Sequence, residues 1–316
     1  MEINMKKVLG IILTLVLVCS MFAVASAEEK KLKVVYITNS MSNEMNAYGF
    51  KMMEQHADQY NMEVTAFDGQ YNAQVETAAI TNCIGQGFDA IILCPSDINA
   101  VVPAVMQAKD AGIIVAMYSA DLTPEFRELR DIFVGVDDTI AGEQAAQAII
   151  AHFPDGAKVI EIGGAAGSDA QNRRHDGFTA ALEGGNIEVI GYQACDTWSA
   201  DQAMSITQDM IVKFGKDIQA VFCHWDNGAT GCIEALKNAG IEGTFVVAID
   251  GCRGGFDQVK AGTQSVCISQ NVVNISVKTL EVIRAAADGE AYEAENFIPL
   301  DTVTAENVDT FPYPEW

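Results

Sequence analysis

Basic residues are scarce in this chain. Only 19 Lys and Arg stand against 43 Asp and Glu, a formal net charge of -24 over 316 residues. That sign excludes a protein whose affinity comes from neutralising phosphates, so neither nucleic acid nor an anionic lipid surface is an expected partner. Four histidines, His56, His152, His175 and His224, are spaced too irregularly for a metal-ligand motif, and no metal or cofactor is expected. No GxSxG, HExxH, Walker-type GxxxxGK[ST] or GxGxxG signature occurs, so nothing demands an enzyme. After Cys19 the cysteines are Cys83, Cys94, Cys195, Cys223, Cys232, Cys252 and Cys267. None forms a CxxC pair, and Cys94, Cys223 and Cys267 lie inside apolar runs, which reads as buried thiols acting as small hydrophobes. Beyond the first residues no apolar run is long enough to span a bilayer.

The one long apolar run is at the start. Lys6-Lys7, the stretch VLGIILTLVLVCSMFAV and the small residues Ala25-Ser26-Ala27 read as an export signal over residues 1–27, cleaved after Ala27. A lipid anchor at Cys19 is the competing reading; Val18 is larger than the small residue such a site places before its cysteine. The mature chain is expected in the periplasm or on the outer face of the cell membrane.

Past the signal, short apolar runs alternate with amphipathic stretches. KVVYIT leads to a helix at Ala47–Tyr60, MEVTAFD to Ala73–Ile84, DAIILCP to Ala100–Ala111, and IIVAMYS and IFVGV follow. A second series repeats the design: helix Ile140–Phe153, then KVIEIGG, Ala170–Leu182, IEVIGYQA, Ala200–Phe214, AVFCHW, Gly228–Ala239, TFVVAID and SVCIS. Unbroken apolar runs of five or six residues joined through helices require a parallel sheet covered on both faces. The fold class is α/β, with two doubly wound, Rossmann-like lobes. A last helix at Val277–Ala287 and the segment Phe297–Val303 would return the chain to the first lobe and then the second, making a hinge of three crossings. The lobes are residues 30–137 with 271–297, and residues 138–270 with 298–316. The crossings are expected near Asp137-Asp138, Gln270-Asn271 and Glu293–Phe297.

Ligands of open α/β sheets bind outside the carboxyl ends of the strands, so polar residues there are site candidates. Asp250 follows Phe245–Ile249 and Gln270 follows Ser265–Ser269. Each candidate has a structural alternative: Asp250-Gly251 also suits a plain turn, Asp226 equally suits a helix N-cap, and Trp198 a core position.

The order KVVYIT, DAIILCPSD, GVDD, KVIEIGGAAGSDAQNRRHDGF, CDTW, AVFCHWD, VVAIDG, ISQ resembles the pentose- and hexose-binding family of type I periplasmic binding proteins, the solute receptors of ABC importers. The resemblance spans the mature chain. It implies a monomer that closes two lobes on a small neutral carbohydrate or polyol and passes it to a membrane permease. A sugar-signal or chemotaxis receptor with the same fold is the alternative. It further implies that Trp198 stacks on an apolar sugar face, that Asp250, Gln270 and Arg174 bond hydroxyls, and that Asn43 serves from the first loop. Trp225, Asp226 and Asp169 complete the second lobe's candidates. The chain departs from the family where Met45 and Asn46 stand in place of stacking aromatics. It departs again where Ser119-Ala120 with Asp121 replaces an Asp-Arg pair. A standard ribose or galactose site is therefore not expected.

Overall fold

The computed structural model describes residues 30–316; the export signal and Cys19 lie outside them. The chain runs β1 Leu32–Thr38, α1 Glu44–His56, β2 Met62–Asp68, α2 Ala73–Gln86, β3 Ala90–Cys94, α3 Val102–Asp110, β4 Ile114–Tyr118 and β5 Ile132–Gly135. Then come α4 Asp138–His152, β6 Ala157–Ala165, α5 Asp169–Leu182, β7 Ile187–Cys195, α6 Ala200–Phe214, β8 Ala220–Cys223, α7 Asp226–Asn238, β9 Phe245–Asp250, α8 Arg253–Ala261 and β10 Val266–Gln270. The last elements are α9 Val272–Asp288, β11 Glu295–Phe297 and β12 Leu300–Thr304.

Two sheets of six strands form, ordered β11-β5-β4-β3-β1-β2 and β12-β10-β9-β8-β6-β7. All neighbours are parallel except β12, which lies antiparallel on β10. Leaving out β11 and β12, the two orders are the same when read from the start of each half, so the series repeat one winding. β3 and β8 are apolar along their whole lengths, and β1 and β9 over Val34–Ile37 and Phe245–Ile249, because both faces of each sheet are covered: one cluster packs Tyr36, Met53 and Ile275, another Ile37, Ile80 and Leu93. The second sheet is flanked likewise by clusters around Ile162 and Leu236, and around Phe178 and Phe222. All seven cysteines of the described residues are free and buried, as small hydrophobes would be.

Helix starts are written by caps. Asn43, Asn72, Asp137, Ser168, Ser199 and Asn271 each accept a main-chain N–H of the following turn. Asn271 explains why the last helix begins at Val272, five residues before Val277, where apolar periodicity alone placed it.

Chain passages between the sheets fall at Val136-Asp137, at Gln270-Asn271 and at Ile298-Pro299. The third lies just beyond the expected Glu293–Phe297, because Glu295–Phe297 is itself paired with β5. Away from these passages the lobes also touch directly. Asn227 Nδ2 donates to Glu44 Oε2 at 3.0 Å, and the Asp121 N–H donates to Asp169 Oδ2 at 3.0 Å.

Candidate functional site

The carboxyl ends of β1, β4, β6, β8, β9 and β10 open toward one another across the gap between the lobes. They enclose a cavity of ≈ 320 Å³ lined from both sides, at the small end of the roughly 300–1,000 Å³ range of small-molecule sites.

From the first lobe come Asn39, Ser42, Asn43, Met45, Asn46 and Ser119. Asn46 is spent on its own loop: its Nδ2 donates to Asn39 Oδ1 at 2.8 Å and to the Ser40 carbonyl at 3.2 Å, while its Oδ1 accepts from the Tyr36 hydroxyl at 3.1 Å. Its work is therefore to hold Asn39 against the cavity. Ser119 follows β4 with φ 51, and its buried Oγ has no hydrogen-bond partner among the described residues. Asp121, two residues on, does not reach the cavity. Arg130 grips it through Nε to Oδ1 at 2.5 Å and Nη2 to Oδ2 at 3.0 Å, and Arg127 Nε lies 3.1 Å from Oδ2.

The second lobe supplies the aromatic and charged groups. Trp198 follows β7 and Trp225 follows β8; their rings meet edge to face at 89° with centroids 5.4 Å apart. Trp225 is buried and its indole Nε1 lacks a hydrogen-bond partner among the described residues. Arg174 projects from α5, its guanidinium 5.7 Å from the Trp198 ring. Its Nε donates to Asp138 Oδ1 at 2.7 Å and its Nη1 to the His224 carbonyl. That leaves Nη2 without a protein partner among the described residues. The fork is thus aimed by α4 and β8, with one nitrogen left for the cavity.

Asp250 ends β9 at φ 141, a conformation that costs a non-glycine residue about 1–3 kcal/mol. The backbone there is held by Asp226. Its fully buried carboxylate takes the Gly251 N–H at 2.8 Å, the Cys252 N–H at 3.2 Å and Gln264 Nε2 at 2.8 Å. Asp226 therefore faces away from the cavity and fixes the turn that presents Asp250. It is neither a cavity-lining group nor a cap; Trp225 holds the N-cap position. Gln270 Nε2 donates to Asp250 Oδ1 at 2.8 Å. Burial pushes the Asp250 carboxyl up to about 7, against the pull of the Arg174 guanidinium, with Asp226 adding to the rise. Asp169 also stays out of the cavity lining. It accepts from Asp121 across the lobes, and burial raises it to about 6.

Nine of the twelve candidate residues line the cavity; Asp121, Asp169 and Asp226 stand behind its wall. Asn39, Ser42, Glu44, Asn227, Thr230 and Trp316 are in the lining but were not among the candidates. Asn39 carries the strand-end signal that Asp250 does, one residue past β1. Asn227 is the neighbour of the candidate Asp226, and only the phase of α7 separates them.

A lining with apolar indole faces, one directed guanidinium nitrogen, the carboxyls of Asp250 and Glu44 and several amides suits a small polyhydroxylated solute. Residues 34–291 match the model of the periplasmic binding protein domain, and the chain belongs to that family. Fold and relatives together place it among type I periplasmic binding proteins of the ribose and galactose class. It is 27% identical over 302 residues to the ribose import binding protein RbsB of Salmonella typhimurium, covering 95% of this chain and 99% of that one. To the xylitol-binding protein of Mycolicibacterium smegmatis it is 28% identical over 289 residues, covering 90% and 80%. The fold superposes on a galactofuranose binding protein with TM-score 0.84 at 20% identity, covering 88% of this chain and 96% of that one. Among the described residues no helix is long and apolar enough to cross a membrane.

Proposed function

We propose that this chain is the exported solute-binding component of an ABC importer, a monomer that captures a small neutral carbohydrate or polyol between its lobes and delivers it to a permease. The observation that carries this reading is the two-lobe cavity in which Arg174 Nη2, Asp250 and the Trp198 face converge. The pairing supports a neutral solute: Arg174 already has Asp138 as its counter-ion, and burial raises the Asp250 carboxyl, which favours its uncharged form. A negative charge on the solute would be buried without a free cation, since Arg174 is the one basic residue of the lining among the described residues and is already paired.

Closure follows from the division of the contacts. A solute touching Asn43 and Asn39 on one lobe and Asp250 and Trp198 on the other binds the closed arrangement better than an open one, and shifts the equilibrium by that difference. Going from mostly open to mostly closed takes about 5.5 kcal/mol, within reach of stacking plus a few charge-assisted hydrogen bonds. The xylitol and ribose relatives support polyols and pentoses as the first solutes to try.

A thermal-shift screen against pentoses, hexoses, furanosides and polyols tests the reading, because a solute bound only by the folded form raises the melting temperature by mass action. A hit whose shift is lost in Asp250→Ala and in Trp198→Ala supports it. Retention of the full shift in both variants sinks the assignment of this cavity.

A further inference from the structure

Trp198 and Trp225 stand at 89° to each other on one lobe, so they form a corner and leave the facing side of the cavity without an aromatic plate. On that facing side the first lobe offers Met45 and the self-satisfied Asn46. A third indole, Trp316, lines the same cavity. Its ring lies nearly parallel to Tyr48 of α1, at 15° with centroids 6.0 Å apart. It packs on the cluster of Tyr48, Met52 and Val272 beside Met45, all residues of α1 and α9 on the first lobe.

The main chain carrying that indole is held by the other lobe. The Trp316 main-chain oxygen accepts the Arg253 N–H at 2.6 Å, and the Glu315 carbonyl accepts Arg253 Nη2 at 3.3 Å. Two residues earlier the Tyr313 hydroxyl donates to Asp257 Oδ1 at 2.8 Å, with the Arg253 and Lys260 cations over its ring. Arg253 opens α8 in the turn that begins at Asp250, so the anchor is next to the site carboxyl.

We propose that Trp316 is both a wall of the solute cavity and a strap between the lobes: anchored on α8 of the second, seated on Tyr48 of the first. Opening the cleft must lift the indole off Tyr48 and Met52 and return that apolar surface to water, so the strap favours closure even before solute enters. The same ring supplies the first-lobe plate that Met45 and Asn46 do not. The role as a wall rests on the solute-binding reading above; the role as a strap does not.

Small-angle scattering without solute tests the strap on the full chain, as wild type, Trp316→Ala, Trp316→Phe and Tyr48→Ala. A larger radius of gyration in Trp316→Ala and Tyr48→Ala, with wild-type dimensions in Trp316→Phe, is expected. An unchanged radius in both alanine variants overturns it. Tyr48→Ala removes the seat while keeping the tail, so the comparison survives if Trp316→Ala misfolds. Calorimetric titration with D-ribose, xylitol, myo-inositol and a methyl galactofuranoside then tests the wall. Affinity for the tightest of these should fall about tenfold in Trp316→Ala and little in Trp316→Phe; equal affinities overturn the wall. If none of the four binds the wild type, the carbohydrate reading and the wall fall together, and the scattering alone decides the strap.

Discussion

Gln270 and Asp250, at the ends of the adjacent strands β10 and β9, are joined by a 2.8 Å hydrogen bond from amide to carboxyl. Gln270 is also the last residue before the chain crosses to the first lobe and Asn271 caps α9. A rotation at this crossing therefore acts directly on the partner of the site's carboxyl, which ties hinge position to the cavity's hydrogen bonding.

The Asp250 carboxyl gives the first prediction. Its folded value, about 7, is raised from an ordinary 3.8 by burial. Between these values the folded state holds a proton that the unfolded chain has released, so stability falls as pH rises through that window. Asp250→Asn, which cannot ionise, should melt higher than wild type at pH 8, by an amount equivalent to up to about 4 kcal/mol, and the two should converge near pH 4. The same variant should bind solute more weakly at pH 8. Melting curves across pH check the sign: a variant less stable than wild type at pH 8 would show that the carboxylate is net favourable there.

The Trp198 ring gives the second. A Cβ built on Gly164 of β6 would meet its Cη2 at 2.1 Å and Cζ3 at 2.2 Å. Gly164→Ala, which adds one methyl group and no charge, should push the indole out of its place beside Arg174. Solute affinity should drop about tenfold or more, the order of one lost aromatic contact with its misplaced neighbour. Tryptophan fluorescence should shift as well. Wild-type affinity in this variant would mean that the Trp198 face makes no contact with solute.

Arg174 and Asp138 give the third. They form a buried pair at 2.7 Å, each almost wholly inaccessible. Removing one partner strands the other charge, so Asp138→Ala should destabilise the fold by about 3–5 kcal/mol and also lose solute binding. Asp138→Asn keeps an acceptor for Arg174 Nε and should recover part of both. Urea unfolding of the two variants separates them; equal stability would mean that Arg174 finds water or another acceptor.

The fold was legible because strands buried on both faces are written as unbroken apolar runs, such as Ala90–Cys94 and Phe245–Ile249, with helices of ordinary length between them. Helix starts were less so: a cap such as Asn271 acts through one side-chain bond and leaves no periodicity. Strand tips named the neighbourhood of the cavity, and Asp250, Gln270, Ser119 and Trp225 stand in its lining. Tips do not tell which of two adjacent polar residues faces inward. Asp121 is turned away by Arg130, nine positions on in sequence, and Asp226 by the N–H groups of a turn on another strand. Trp316 had no local signal at all, since its place depends on Tyr48 at the far end of the chain.

The contact between the lobes at Asp169 gives the last prediction. Its Oδ2 accepts the Asp121 N–H across the cleft, and burial raises its carboxyl from 3.8 to about 6, with the Asp138 and Asp121 charges adding to the rise and Arg173 and the hydrogen bond opposing it. Opening the lobes removes Asp121 from Asp169 and admits water, which lowers the value toward the ordinary one. The closed form then holds the proton more tightly than the open form between about pH 4 and 6, so acidification favours closure. Scattering without solute should show the radius of gyration shrinking from pH 7.5 to pH 5.0. In Asp169→Asn, which is neutral throughout and keeps the acceptor, that dependence should shrink to the part Asp250 contributes, with a smaller radius than wild type at pH 7.5. A wild-type radius that grows on acidification would reverse the sign and place the controlling carboxyl elsewhere in the cleft.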